Sequence, residues 1–110
     1  MQEIDFKDWK MLDLKVGEIK KAEQHPNADK LVVLKVDTGG KEIQLVAGIK
    51  QQYTAKELIG KKIVVFTNLK PVELRGIKSE GMILAAVDKG ADKIALLTVD
   101  KDIKNGARIE

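Results

Sequence analysis

The sequence has no cysteine and a single histidine, His25. Without thiols there is neither a disulfide nor a thiolate metal site, and a lone imidazole cannot assemble a structural zinc centre. Aromatic residues are scarce: Phe6, Trp9, Tyr53 and Phe66 are the whole set. No apolar run approaches the ~20 residues that a membrane-crossing helix needs. Met1-Gln2-Glu3-Ile4-Asp5 lacks the basic-then-apolar start of a signal peptide. Phosphate-cradling G-x-G-x-x-G and P-loop patterns are missing, as is any serine–histidine or cysteine nucleophile arrangement. These absences lead to the expectation of a soluble, cytoplasmic chain that is not an enzyme and holds no metal or cofactor.

At 110 residues the chain reads as one domain, long enough to bury roughly two-thirds of its unfolded surface without staples. Its net charge of +3 is small but unevenly spread. Residues 1–29 hold five Lys/Arg against seven Asp/Glu, residues 30–79 ten against four, and residues 80–110 five against six. Basic charge gathered in the middle of a chain with acidic ends points to a localised polyanion site. The same lysines would also simply solvate a small domain in which 34% of residues are charged, so charge alone leaves both readings open.

Hydrophobic periodicity gives a β-rich plan. Asp5 to Leu12 reads as a short helix, with Asp5 at the N-cap and Phe6, Trp9 and Leu12 at helical spacing. Leu12, Leu14 and Val16 then alternate as in a strand, and the phase slips at Gly17-Glu18, where a β-bulge is expected. Pro26-Asn27 turns the chain into Leu31–Val36, and Gly39-Gly40 closes a hairpin onto Ile43, Leu45, Ala47 and Ile49. Thr54-Ala55-Lys56-Glu57 is a capping box, with Tyr53 and Leu58 as its hydrophobic staple and Gly60 as its stop. Ile63–Phe66, a basic loop and Met82–Val87 follow. Three strands, a helix and two strands are the layout of an all-β OB-fold, a five-stranded Greek-key barrel, here with N- and C-terminal extensions. That fold binds through strands 2 and 3 and the loops joining strands 1–2 and 4–5.

Those two loops carry the most ordered sequence in the chain. The first holds His25-Pro26-Asn27-Ala28-Asp29-Lys30-Leu31; the second holds Asn68-Leu69-Lys70-Pro71 and then Gly76-Ile77-Lys78-Ser79-Glu80-Gly81-Met82. With Val16-Gly17-Glu18-Ile19 and Val46-Ala47-Gly48-Ile49, they form an ordered series over about residues 12 to 87. The series resembles the transfer-RNA-binding domain family, found free or fused to aminoacyl-tRNA synthetases. Its pattern is V-G-x-I, H-P-N-A-D-K-L, V-A-G-I, N-L-K-P and G-x-x-S-x-G-M. The likeness implies structure-specific tRNA binding, as by the C-terminal domain or β subunit of methionyl-tRNA synthetase. A synthetase catalytic subunit is then a possible partner. An export-related, chaperone-like relative that binds unfolded polypeptide is the alternative.

The candidate RNA-binding residues are Asn27, Lys30, Lys70, Arg75, Lys78, Ser79 and Met82. Asn27 suits a turn as well as an RNA contact. Lys30 leaves its loop directly into a strand and is placed for a phosphate. Lys70, Arg75 and Lys78 share the second loop with only Glu73 opposing them. A hydroxyl such as Ser79 can bond a phosphate or a ribose 2′-OH, and the adaptable Met82 thioether can lie on a base; the resemblance associates both with tRNA contact. Met82 would equally suit the barrel core. Asp29 is expected to fix its loop and His25 to support the turn. With no aromatic in either loop, base stacking is disfavoured and recognition of folded RNA by shape and backbone is favoured.

Residues 88–110 contain Lys93–Val99, an apolar strand beyond what a five-stranded barrel needs. The extensions 1–11 and 88–110 thus flank a barrel spanning about 12–87. The resemblance implies that they form a homodimer interface; they could instead cap their own barrel.

Overall fold

The fold is that of a computed structural model covering residues 1–110. A single helical turn, α1 (Phe6–Trp9), precedes β1 (Leu14–Gln24), β2 (Val32–Asp37) and β3 (Glu42–Ala47). Then come α2 (Ala55–Leu58), β4 (Lys62–Phe66), β5 (Val72–Leu74) and β6 (Ile77–Ser79). The chain ends with β7 (Met82–Ile83), β8 (Ala85–Asp88) and β9 (Lys93–Leu96). One antiparallel sheet runs β3-β2-β1-β4-β7, while β5–β6 and β8–β9 are separate two-stranded hairpins. The order is that of an OB-type barrel, and β3 meets the β6–β7 segment to close it nearly completely.

The closure uses side chains where ladder partners run out. On β3, Gln44 O accepts from Glu80 N (2.8 Å), and Gln44 N donates to Glu80 Oε1 (2.9 Å). Val46 N donates to Ser79 Oγ (3.0 Å). Gly81 allows this approach, since a Cβ there would lie 2.6 Å from the Phe66 carbonyl oxygen. The strand edge therefore stays satisfied although no continuous strand lies beside it.

Alternation determines what fills the barrel. Val32, Leu34 and Val36 on β2 and Ile43, Leu45 and Ala47 on β3 point inward. They pack with Ile19, Ile49, Leu58, Ile63 and Val65. Each fully buried branched side chain contributes roughly 1.5–3 kcal/mol through loss of water contact. Leu14 and Val16 pair with Phe66 and Val64 and so face the other way. Beside them the C-terminal segment lies along β1: Gly106 N donates to Val16 O and Ile109 N to Leu14 O.

Several details depart from the sequence-based expectations. The register irregularity of β1 against β2 lies between Ile19 and Lys21, not at Gly17-Glu18; Gly17 stays in register with Ile63 of β4. Met82–Val87 is not one strand. After Leu84, whose N–H still donates to Val64 O, the chain leaves the barrel, and Ala85–Asp88 pairs with Lys93–Leu96. Ile94 and Leu96 still pack on the core, and Tyr53 Oη accepts from Leu96 N (3.0 Å). The first helix is one turn long, and Asp5 makes no side-chain capping bond. The capping box of α2 forms as expected, with Thr54 and Glu57 bonded reciprocally.

Candidate nucleic-acid interface

The expected second basic loop contains a hairpin that hydrophobic patterning missed. Leu74 and Ile77 pair across Arg75-Gly76, with φ +52° and +92°. Two consecutive positive φ values make this a tight two-residue reversal, a type I′ geometry that favours glycine at one position. The hairpin is short, so periodicity over three residues per strand gave no signal. It leans over the outer face of the barrel and turns a flat sheet face into a groove of about 480 Å³.

The floor of that groove is a row across three strands. Lys21 of β1 pairs with Lys35 of β2, and Lys35 with Gln44 of β3. Like charges directly opposite on a sheet destabilise it unless an anion or a polar partner intervenes. Here Lys35 Nζ donates to Gln44 Oε1 (2.6 Å), and Gln44 Nε2 donates to Lys78 O on the hairpin (2.8 Å). The Lys21 and Lys78 ammonium groups have no hydrogen bond or ion pair within the chain. With Lys35 they oppose one lining carboxylate, Glu23. Pro26, Gly76 and Ile77 complete the walls.

The loop between β1 and β2 adjoins this groove and shapes a second depression of about 400 Å³ lined by Asn27, Lys30 and Arg75, among others. The Asn27 side-chain amide and the Lys30 ammonium are both exposed and unbonded. Arg75 is partly committed, since its Nη2 donates to Asn27 O (3.0 Å). His25 is 1% exposed. Its ring meets Leu74 O through Nε2 and Asn27 N through Nδ1.

The structure thus brings Asn27, Lys30, Arg75 and Lys78 together at one end of the barrel. Lys70 is exposed in the β4–β5 connection but lines neither depression. Met82 is 53% exposed, so it is not core; it pairs with Phe66 outside the groove lining. Ser79 departs most from its expected part. It is 2% exposed, and its hydroxyl accepts from Val46 N while donating to Gly81 O (2.9 Å). With both bonding directions used internally, it fastens the hairpin to the barrel and offers nothing to a ligand in this arrangement. Lys21, Lys35 and Gln44 escaped the sequence reading because they stand in ordinary strand positions. Their signal is register: two lysines facing each other become visible only once β1 and β2 are aligned.

Asn68, from the second motif, has an architectural part. Its Oδ1 accepts from Asp13 N (2.9 Å), and its Nδ2 donates to Met11 O (2.8 Å). Beside it, the Thr67 hydroxyl holds the Asp13 carboxyl below its ordinary range, helped by Lys15.

Around the N-terminal helical turn, apolar side chains stand beside two carboxylates, Asp5 and Asp8. Ile4, Phe6, Trp9 and Leu12 line a shallow depression; Phe6 is 71% and Trp9 40% exposed. No helix is long and apolar enough to cross a membrane.

A model of the putative tRNA-binding domain family matches residues 14–108. The methionine–tRNA ligase of Pyrococcus furiosus is 47% identical over 109 residues, covering 99% of this chain and 15% of that protein. The ligase of Methanocaldococcus jannaschii is 49% identical over 109 residues, 99% of this chain and 17% of that one. The chain therefore spans about a sixth of the length of these relatives. Among solved structures, a MetRS-related protein from Pyrococcus horikoshii superposes with a TM-score of 0.93 at 36% identity, covering 100% of both chains. The chaperone CsaA from Bacillus anthracis gives 0.89 at 32% identity, covering 99% of this chain and 100% of that one. The chain belongs to the putative tRNA-binding domain family.

Proposed function

We propose that this tRNA-binding domain grips the phosphate backbone of folded tRNA in the groove between the β1–β2–β3 face and the β5–β6 hairpin. One observation carries the reading: Lys21, Lys35 and Lys78 converge on a groove with a single opposing carboxylate. Lysines recognise phosphates as point charges and carry no base-reading geometry, so binding depends on where the backbone runs. Asn27, Lys30 and Arg75 extend the surface along the β1–β2 loop, and Lys70 and Met82 extend it outside the groove. Ser79 contributes by holding the hairpin wall. The groove has no aromatic lining on which a base could stack, which supports shape and backbone recognition over single-strand binding.

The chain is then a non-catalytic module that supplies tRNA affinity to a methionine–tRNA ligase catalytic partner. Two copies associate through the terminal faces around Phe6 and Trp9, which would double the basic surface offered to an RNA much larger than one barrel. The likeness to CsaA supports a second reading, capture of unfolded polypeptide. Ten residues line the groove and only two of them are hydrophobic, which favours RNA.

Competition binding tests these readings. Folded tRNA, an unstructured RNA of equal length and an unfolded polypeptide are titrated against the same labelled tRNA complex. The proposal expects folded tRNA to compete best and its affinity to fall steeply with salt as counterions are released. Equal competition by the unstructured RNA would remove the shape component. Stronger competition by the polypeptide would favour the chaperone reading.

A further inference from the structure

The β5–β6 hairpin forms one wall of the groove, yet it lies outside the five-stranded sheet. A two-stranded ribbon with three residues per strand has little stability of its own. Its position therefore depends on the bonds that tether it. At its base, Ser79 Oγ and Lys78 O reach β3. At its turn, two bonds cross to the β1–β2 loop in opposite senses. The Arg75 guanidinium donates to Asn27 O, and the His25 ring meets Leu74 O (2.9 Å).

The imidazole can make its bond in only one protonation form. Asn27 N donates to Nδ1 (2.9 Å), so Nδ1 must be an unprotonated acceptor. The neutral ring then carries its proton on Nε2, where it donates to Leu74 O. A buried ring with both nitrogens engaged is held in one orientation. One contact shapes the loop that contributes Pro26 to the groove, while the other reaches the strand just before Gly76, Ile77 and Lys78.

We propose that His25, as its Nε2–H tautomer, is a positioning residue that clasps the β1–β2 loop to the β5–β6 hairpin and holds Lys78 over the groove. The effect on RNA rests on the proposed tRNA reading; the clasp itself can be observed in the free protein. His25 touches no phosphate. Removing it raises the disorder that tRNA must overcome on binding, while the number of phosphates neutralised stays the same.

The test uses the full chain and two substitutions of different reach. His25→Asn retains a short side-chain acceptor for the amide two residues on, the Asx-turn arrangement, but stops short of Leu74. His25→Gln has the length to donate an amide proton to Leu74 O. Nitrogen-15 spectra of the wild-type ring should show the Nε2–H tautomer. His25→Asn, with parental circular dichroism, should exchange β5–β6 amides faster in the free state. It should bind tRNA about five- to tenfold more weakly with an unchanged salt slope, as expected for loss of one buried hydrogen bond. His25→Gln should restore most of both properties.

An Nδ1–H tautomer would overturn the clasp, as would a folded His25→Asn with parental hairpin exchange. A lowered salt slope in His25→Asn would make the residue a phosphate contact and would also overturn it. Should His25→Asn not fold, the wild-type tautomer and the hairpin exchange of His25→Gln, expected near parental, still decide the matter; fast exchange in a folded His25→Gln overturns it. If tRNA fails to bind even the wild type, the proposed function falls, while the tautomer and exchange measurements still judge the clasp separately.

Discussion

The groove end and the terminal end of this small barrel are chemical opposites. At the groove, polar side chains are tied to one another and three lysines surround an open space: Lys35 is bonded to Gln44, and Gln44 to the hairpin. At the termini, Phe6 is 71% and Trp9 40% exposed on a single helical turn. One surface suits a solvated polyanion, the other a dry protein contact. On the proposed reading, affinity for RNA and association between copies would rest on different residues and could be perturbed independently.

The sharpest way to break that separation is to remove the groove's charge. Lys21→Ala, Lys35→Ala and Lys78→Ala combined should weaken tRNA binding by roughly 3 kcal/mol, about a hundredfold. The salt slope should drop by about one unit per lysine. Filter binding across a salt series measures both, and sedimentation should show unchanged association. Loss of association in this variant would mean that the two ends are coupled.

Ser79→Ala tests whether the hairpin wall is fastened as the bonds indicate. It strands Val46 N–H and the Gly81 carbonyl in a buried place, which should cost about 1–3 kcal/mol. In a domain of this size that lowers the melting temperature by roughly 4–8 °C per kcal/mol. The salt slope for tRNA should stay at the parental value. Weaker tRNA binding with unaltered melting and unaltered hairpin exchange would instead make Ser79 a direct contact.

At the terminal end, Trp9→Ala should shift association toward monomer in sedimentation equilibrium. Trp9 is only 40% exposed, so the substitution should also cost the monomer about 1–2 kcal/mol, which melting measures separately. Full association by Trp9→Ala together with Phe6→Ala would refute the assembly face.

The smallest effect concerns acid. Asn105 Nδ2 donates to Glu18 Oε1 (3.1 Å) and Asp37 Oδ2 (3.3 Å), tying the C-terminal segment to β1 and β2. Glu18 is held below its ordinary pKa of 4.5, mainly by that Asn105 bond and by Lys20. Asp37 is held below 3.8, mainly by the Gly39 N–H and then by Asn105. Because folding lowers both, their stabilisation is complete above the unfolded values. It fades as pH falls through the lower folded values. Protection of the amides near residues 105–109, taken relative to the intrinsic exchange rate at each pH, should therefore fall below about pH 4, before the barrel opens. Constant protection down to pH 2 would contradict this.

Much of the barrel was legible in the sequence because its signals are local. The alternation of Leu34, Val36, Ile43 and Leu45 marks two core strands, Gly39-Gly40 their turn, and Thr54 with Glu57 a helix start. The β5–β6 hairpin was not legible, since three-residue strands carry no period and its turn uses Arg75 at a positive φ. The motif loops were found, yet several of their distinctive residues, two of them buried, serve the architecture. His25, Ser79 and Asn68 bond the chain to itself, whereas Lys21 and Lys35 became candidates only through strand register. Side chains that build a site are unusual in sequence because their geometry is demanding. Lysines that face a phosphate need only be on the right side of a strand.

The central claim is that the groove is the surface that meets tRNA, and amide shift mapping on isotope-labelled protein tests it most directly. Adding folded tRNA should perturb or broaden Lys21, Lys35, Gln44, Gly76 and Lys78, together with residues 26–30. Phe6 to Met11 should shift no more than the average. Perturbation concentrated on the terminal face, with the groove amides unmoved, would contradict the account.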